Sequence, residues 1–165
     1  MNDKDIVKVG SLTFEAIFTP GHTTGHMVYL LHCDPPCLFS GDHIFVGGLG
    51  RLFEGNADTM LQSINAIKAL DERTLIFPGH EYGLENLKFM ALLDPSNTAI
   101  QSKLDWVRQQ RSRRLSAVPS VLSEEKQYNL FMQTDSAHLK SVLDMPPHSS
   151  AASTLAKLRA RRDKY

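Results

Sequence analysis

The chain has 165 residues, 42% of them hydrophobic, and 18 Lys and Arg balance 18 Asp and Glu to a formal net charge of zero. That length and apolar content suit one domain, or a core with a small appended one, and exclude a disordered tail. The balanced charge leaves no footprint for nucleic acid or an acidic membrane surface, and no apolar run approaches the roughly 20 residues that span a bilayer, so a small molecule is the expected ligand.

Met1 to Lys8 is polar and of mixed charge, and reads neither as a signal peptide nor as an Arg-rich transit sequence. Leu12 to Thr19 then alternates apolar and other side chains (Leu12, Phe14, Ala16, Phe18), the period of a half-buried strand, and Pro20 and Gly21 stop it. Met27 to Leu31 and Cys37 to Phe39 are short apolar runs on either side of Asp34, Pro35 and Pro36, which predicts a hairpin or adjacent strands. Cys33 and Cys37, the only cysteines, cannot close a four-ligand zinc site alone. They are expected to be free thiols in a reducing compartment, cytoplasmic or mitochondrial.

From Asn56 to Leu70 the period becomes helical through Met60, Leu61, Ile64 and Ile67, with Asn56 as N-cap. Thr74 to Phe77 reads as a short buried strand cut by Pro78 and Gly79, and a second helix follows through Leu84, Leu87, Phe89 and Leu92. Beyond Asp94 and Pro95 no β-like run appears. Ile100, Leu104 and Val107 recur at helical spacing, Pro119 breaks the pattern, Ser136 to Leu143 reads as a short helix, and Ala151 to Lys164 as a last basic one. Strands with helices, then helices alone, predict an α/β core over residues 1–94 and an all-helical appendage over residues 95–165.

His22 in Thr19-Pro-Gly-His-Thr23, Asp42 in Phe39-Ser-Gly-Asp42 and His80 in Phe77-Pro-Gly-His-Glu81 each follow a short buried strand and a glycine. Taken singly, such histidines read as hydrogen-bonded structural residues and such an aspartate as a turn or cap. Three in one kind of setting favour chemistry, because loops held at strand ends concentrate catalytic groups and imidazole with carboxylate suits zinc or iron.

Thr19-Pro-Gly-His-Thr-Thr-Gly-His26, Phe39-Ser-Gly-Asp-His-Ile-Phe45, Gly48-Leu-Gly-Arg-Leu-Phe-Glu-Gly55 and Gly79-His-Glu-Tyr82 resemble, in order and spacing, the successive motifs of glyoxalase II, the hydroxyacylglutathione hydrolases. The likeness continues through Asn86-Leu-Lys-Phe89, Pro119-Ser120, Glu124-Glu125 and Tyr128-Asn129 and so covers nearly the whole chain. The resemblance implies the C-terminal part of a metallo-β-lactamase αββα sandwich with an all-helical C-terminal domain. It also implies two divalent metals, zinc with iron or manganese as alternatives, held in part by His22, Asp42 and His80, with Asp42 bridging both. Metal-activated water would cleave a glutathione thioester, lactoylglutathione giving lactate and glutathione, in methylglyoxal detoxification.

The family's glutathione contacts fall on Arg51, Phe53, Tyr82, Arg159 and Arg162. Phe53 stands where a tyrosine is usual and Arg51 and Arg162 where lysines are, which alters the donors offered to substrate. Apart from the resemblance, Arg159, Arg161 and Arg162 read as a solvated basic face. His26 is expected to support the site without ligating, and His43, in place of a small hydroxyl residue, is expected to be no ligand.

The family's Thr-His-x-His-x-Asp-His run, the source of four more ligands, does not occur, and the 21 residues before His22 hold no histidine. We therefore expect a fragment, a shortened isoform or an incomplete gene model, with weak or partial metal binding, no thioesterase turnover alone, and one side of the sandwich open. Arg51 to Asn56 and Trp106 to Arg111 also resemble the glyoxalase II-like, dyskinesia-associated hydrolases. Two other readings stand beside the thioesterase: a persulfide dioxygenase using one iron on the same fold, and a non-catalytic interaction module or pseudo-enzyme.

Overall fold

A computed structural model describes all residues from 1 to 165. Eight strands and six helices follow in the order β1 (Ile6–Val9), β2 (Leu12–Phe18), β3 (Met27–Leu31), β4 (Cys37–Gly41), β5 (Ile44–Phe45), β6 (Gly48–Leu49), α1 (Ala57–Lys68), β7 (Leu75–Pro78), α2 (Gly83–Leu93), α3 (Thr98–Ser112), β8 (Ser120–Val121), α4 (Leu122–Tyr128), α5 (Ala137–Val142) and α6 (Ala151–Lys164), with a 3₁₀ turn at Leu130–Met132. The main sheet has the order β1-β2-β3-β4-β7-β8, and β5 and β6 form a separate two-stranded ribbon. All pairings in the main sheet are antiparallel except β4 with β7, which is parallel.

Because side chains alternate along a strand, the register assigns each residue to a face. Val28, Leu30, Leu38 and Ile76 are buried on one face, in one cluster with Met60, Ile64 and Ile67 of α1 and with buried residues of α2, α3, α4, α5 and α6. The opposite face carries Leu12, Phe14, Phe18, Tyr29, Phe39 and Phe77, with Phe39 stacked on Phe77 at 5.3 Å between ring centroids. No helix covers it. Phe18 is 46% and Phe39 40% exposed, so this face presents apolar, aromatic side chains to solvent.

The hairpin, the helices around Met60, Leu87 and Ile100 and the C-terminal helix lie where the hydrophobic periods put them. Five short elements do not follow from those periods. β1 is a mostly exposed edge strand that takes its conformation from pairing with β2, Val7 opposite Phe14. β5 and β6 have two residues each, too few to show a period. β8 pairs with β7, Leu75 opposite Val121, so the segment after residue 95 is not helical throughout and adds an edge strand to the sheet. α4 follows β8 without a break.

At the start of α1, Asn56 accepts from the Thr59 N–H at 3.0 Å while the Thr59 hydroxyl accepts from the Asn56 N–H at 3.2 Å. This reciprocal cap satisfies two donors that a helix start otherwise leaves free. Asn56→Ala is expected to lower stability by about 1 kcal/mol, read as a reduced urea midpoint at unchanged slope; an unchanged midpoint would count against the cap.

Candidate active site

β2 and β4 both run antiparallel to β3, and β4 runs parallel to β7, so β2, β4 and β7 point the same way. Their C-terminal ends share one edge of the sheet, and His22, Asp42 and His80 sit just past those three ends. The Asp42 carboxylate stands between the two imidazoles, Oδ2 3.7 Å from His22 Nε2 and Oδ1 3.6 Å from His80 Nε2. Each oxygen faces a different ring.

Backbone close packing sets that position. A Cβ on Gly79 would lie 2.7 Å from Asp42 Oδ1, and one on Gly50 would run into the Asp42 carbonyl, so both residues must be glycine for the aspartate to fit. The Gly79 N–H donates to the Gly41 carbonyl at 2.8 Å, which continues the β4–β7 pairing up to the site. The His22 loop is tied to the segment 51–55: Phe53 N–H donates to the His22 carbonyl, and Glu54 accepts from the Thr24 N–H and hydroxyl.

Do these residues fit metal ions? Two donors each about 2.1 Å from one tetrahedral ion are about 3.4 Å apart, close to both His–Asp separations. His22 Nδ1 lies 2.9 Å from the Arg51 carbonyl, an acceptor, so Nδ1 carries the proton and Nε2 turns its lone pair toward Asp42. The donor chemistry fits. Each ion position nevertheless has one histidine and a share of one carboxylate, and no group of three or more His, Cys, Asp or Glu side chains could hold a single ion.

His26 and His43 do not join. His26 pairs through Nδ1 with the Thr19 hydroxyl at 3.0 Å, its ring 6.1 Å from that of His22. His43 is fully buried with neither ring nitrogen hydrogen-bonded, and burial, with the nearby charges of His26 and His22, holds its pKa down to about 3. It is a neutral space-filling ring behind the site.

A cavity of about 450 Å³ opens beside Asp42, lined by His22, Asp42, Arg51, Phe53, Tyr82, Arg159 and Arg162 together with Phe45, Leu49, Gly50 and Asn86. All five residues expected to contact glutathione therefore line one cavity, and His80 stands beside it, stacked on Tyr82 at 5.0 Å. Phe53 is 67% exposed and packs its ring 5.0 Å from that of His22. The three arginines differ. Arg51 is open to solvent and touches Asp163 at 3.4 Å, whereas Arg159 is buried and binds the Leu49 carbonyl at 2.6 Å and Asp163 at 3.0 Å. Arg162 donates to Asn86 Oδ1 at 3.3 Å.

A buried polar frame from the helices holds the ribbon β5–β6. The Val46, Gly48 and Leu49 carbonyls accept from Asn86, Asn129 and Arg159, and the Gly47 N–H donates to Glu125 at 3.1 Å. Glu125 also accepts from the Tyr128 hydroxyl at 2.7 Å and from Asn129 at 3.0 Å. Sequence periods give no hint of these roles, since a polar residue at a helical position looks the same whether it faces water or a buried loop.

Two family models match the chain, and they meet between residues 80 and 81. Residues 81–165 match the model described as "Hydroxyacylglutathione hydrolase C-terminus", and residues 1–80 match the metallo-β-lactamase superfamily. The chain belongs to the hydroxyacylglutathione hydrolase family of the metallo-β-lactamase superfamily. It is 38% identical over 154 residues to "Hydroxyacylglutathione hydrolase cytoplasmic" of Arabidopsis thaliana, covering 91% of this chain and 58% of the relative. It is 39% identical over 153 residues to a hydroxyacylglutathione hydrolase of Enterobacter sp. (strain 638), covering 92% and 60%. The chain thus spans about three-fifths of the length of these family members. Among solved structures, a metallo-β-lactamase from Staphylococcus aureus matches with a TM-score of 0.58 at 26% identity, covering 97% of this chain and 42% of that one. ETHE1 from Myxococcus xanthus matches with a TM-score of 0.57 at 26% identity, covering 97% and 59%. No helix of this family member is long and apolar enough to cross a membrane.

Glu125→Ala would strand three buried donors and is expected to cost about 3 kcal/mol or more, measured by denaturant unfolding. Burial pushes the Glu125 carboxyl above the usual glutamate range, against the pull of its hydrogen bonds. Its contribution to stability is therefore complete below the ordinary glutamate pKa and lost as pH rises through the raised one. Glu125→Gln should flatten that fall, and parallel pH profiles for the two proteins would refute it.

Proposed function

We propose that this chain carries the glutathione-binding side and part of the two-metal centre of a hydrolase for S-2-hydroxyacylglutathione thioesters. The observation that carries the reading is the Asp42 carboxylate, one oxygen toward His22 and the other toward His80, at the wall of a cavity lined by arginines. His22, Asp42 and His80 would hold two divalent ions, zinc with iron or manganese as alternatives. Such ions, when bound, supply Lewis acidity for the thioester oxygen and a nucleophile from water at neutral pH.

The residues of the chain orient the substrate. Arg51 is solvent-open and Arg162 has donors beyond its bond to Asn86, which suits the two carboxylates of glutathione. Tyr82 offers a hydroxyl beside His80, while Phe53 packs an apolar ring against His22. Arg159, held by Leu49 and Asp163, shapes the cavity floor. The division into a metal-site part over residues 1–94 and a helical part over residues 95–165, and a cytoplasmic or mitochondrial setting, belong to the same proposal.

With one histidine and half a carboxylate for each ion, we infer weak metal binding and no turnover by residues 1–165 alone. The test compares residues 1–165 with the same chain extended by the N-terminal segment of the Arabidopsis relative, by metal analysis and hydrolysis of S-lactoylglutathione. The extended chain should hydrolyse it, and Asp42→Ala should lower the rate at least about 100-fold. Stoichiometric metal with turnover by residues 1–165 would contradict the incomplete centre, and persulfide oxidation without thioester hydrolysis would select the dioxygenase.

A further inference from the structure

The β3–β4 turn, His32-Cys-Asp-Pro-Pro-Cys37, takes no part in the cavity and lies at the end of β4 opposite Asp42. Both thiols are free, and Cys33 Sγ lies 3.7 Å from Cys37 Sγ. The two sulfurs also share an acceptor, the Pro35 carbonyl, 3.1 Å from Cys33 and 3.8 Å from Cys37.

Several contacts hold this turn in place. The Arg73 guanidinium bridges Asp34 at 2.8 Å and Asp71 at 3.0 Å, and the Leu75 N–H donates to the Pro36 carbonyl at 2.9 Å. Cys37 is fixed in the ladder opposite Leu31 on one side and Leu75 on the other. Two consecutive prolines fix φ at two of the three residues between the sulfurs. The thiols are thus neighbours before any oxidation, and little chain entropy remains to oppose their joining.

We propose that Cys33 and Cys37 form a thiol–disulfide exchange site, which low-molecular-weight disulfides oxidise to a bond across the β3–β4 turn. Cys33 is the exposed member and the point of entry. As thiolate, having given its proton to solvent, it attacks one sulfur of the small disulfide. A mixed disulfide forms and one small thiolate leaves with the bonding pair, then takes up a proton. Cys37, half-buried and held in the thiol form by burial and by its neighbour Cys33, then loses its proton, attacks Cys33 Sγ and expels the second small thiolate. Two protein thiols have lost two electrons and two protons, and one small disulfide has become two thiols.

The experiment treats reduced protein with glutathione disulfide, quenches with an alkylating agent and reads intact mass. The wild-type chain should lose both alkylatable thiols and the mass of two hydrogens, hold no lasting glutathione adduct, and recover both thiols with dithiothreitol. Cys37→Ser should stop at one glutathione on Cys33, and Cys33→Ser should react at least about tenfold more slowly. A wild-type chain that keeps both thiols, accumulates the glutathione adduct, or forms a disulfide-linked dimer instead overturns the proposal. The wild-type measurement decides even if a variant fails to fold.

Discussion

The parallel pairing of β4 with β7 is the constraint on which the site depends. Parallel neighbours present their C-terminal loops side by side, which brings Asp42 and His80 together although they lie 38 positions apart in the chain. Because β2 runs in the same direction two places away, His22 arrives at the same edge. The glycines then allow contact, since Gly79 leaves room for the Asp42 carboxylate and Gly50 for its backbone. A carboxylate flanked by two imidazoles is the outcome of strand direction and missing side chains more than of any attraction among the three groups.

The helical half acts on the site through the β5–β6 ribbon. The Val46, Gly48 and Leu49 carbonyls and the Gly47 N–H find their partners in the side chains of Asn86, Asn129, Arg159 and Glu125. The cost of leaving such groups unpaired in a buried place makes the arrangement specific. Glu81, next to His80, accepts from the Ala117 N–H at 2.7 Å and from Arg111 at 2.9 Å, which ties the His80 loop to the same half. The cavity is therefore built by both parts of the chain.

Much of this was legible in the sequence. The alternation in Leu12 to Phe18, the helical period from Met60 to Ile67 and the Asn56 cap are local signals, and local physics settled them. The three glycine-flanked ligand candidates could be named because glycine and a metal-binding side chain after a strand form a local pattern. The buried frame could not be read, because Glu125 and Asn129 find partners 78 and 81 residues away. β1 and β8 escaped for a related reason: both are short strands made by their partners' hydrogen bonds, with too little apolar alternation of their own. Read apart from the resemblance, Arg159 belonged to a solvated basic face; it is instead buried, lines the cavity and is bound to Leu49 and Asp163, a difference that only burial reveals.

Whether Asp42 is shared between two ion positions can be decided by anomalous diffraction at the zinc edge, from crystals of this chain equilibrated with excess zinc. Density is expected at two positions, one within about 2.2 Å of His22 Nε2 and an Asp42 oxygen, the other within about 2.2 Å of His80 Nε2 and the second Asp42 oxygen. Zinc bound only elsewhere, with the Asp42 carboxylate turned away from both imidazoles, would contradict it.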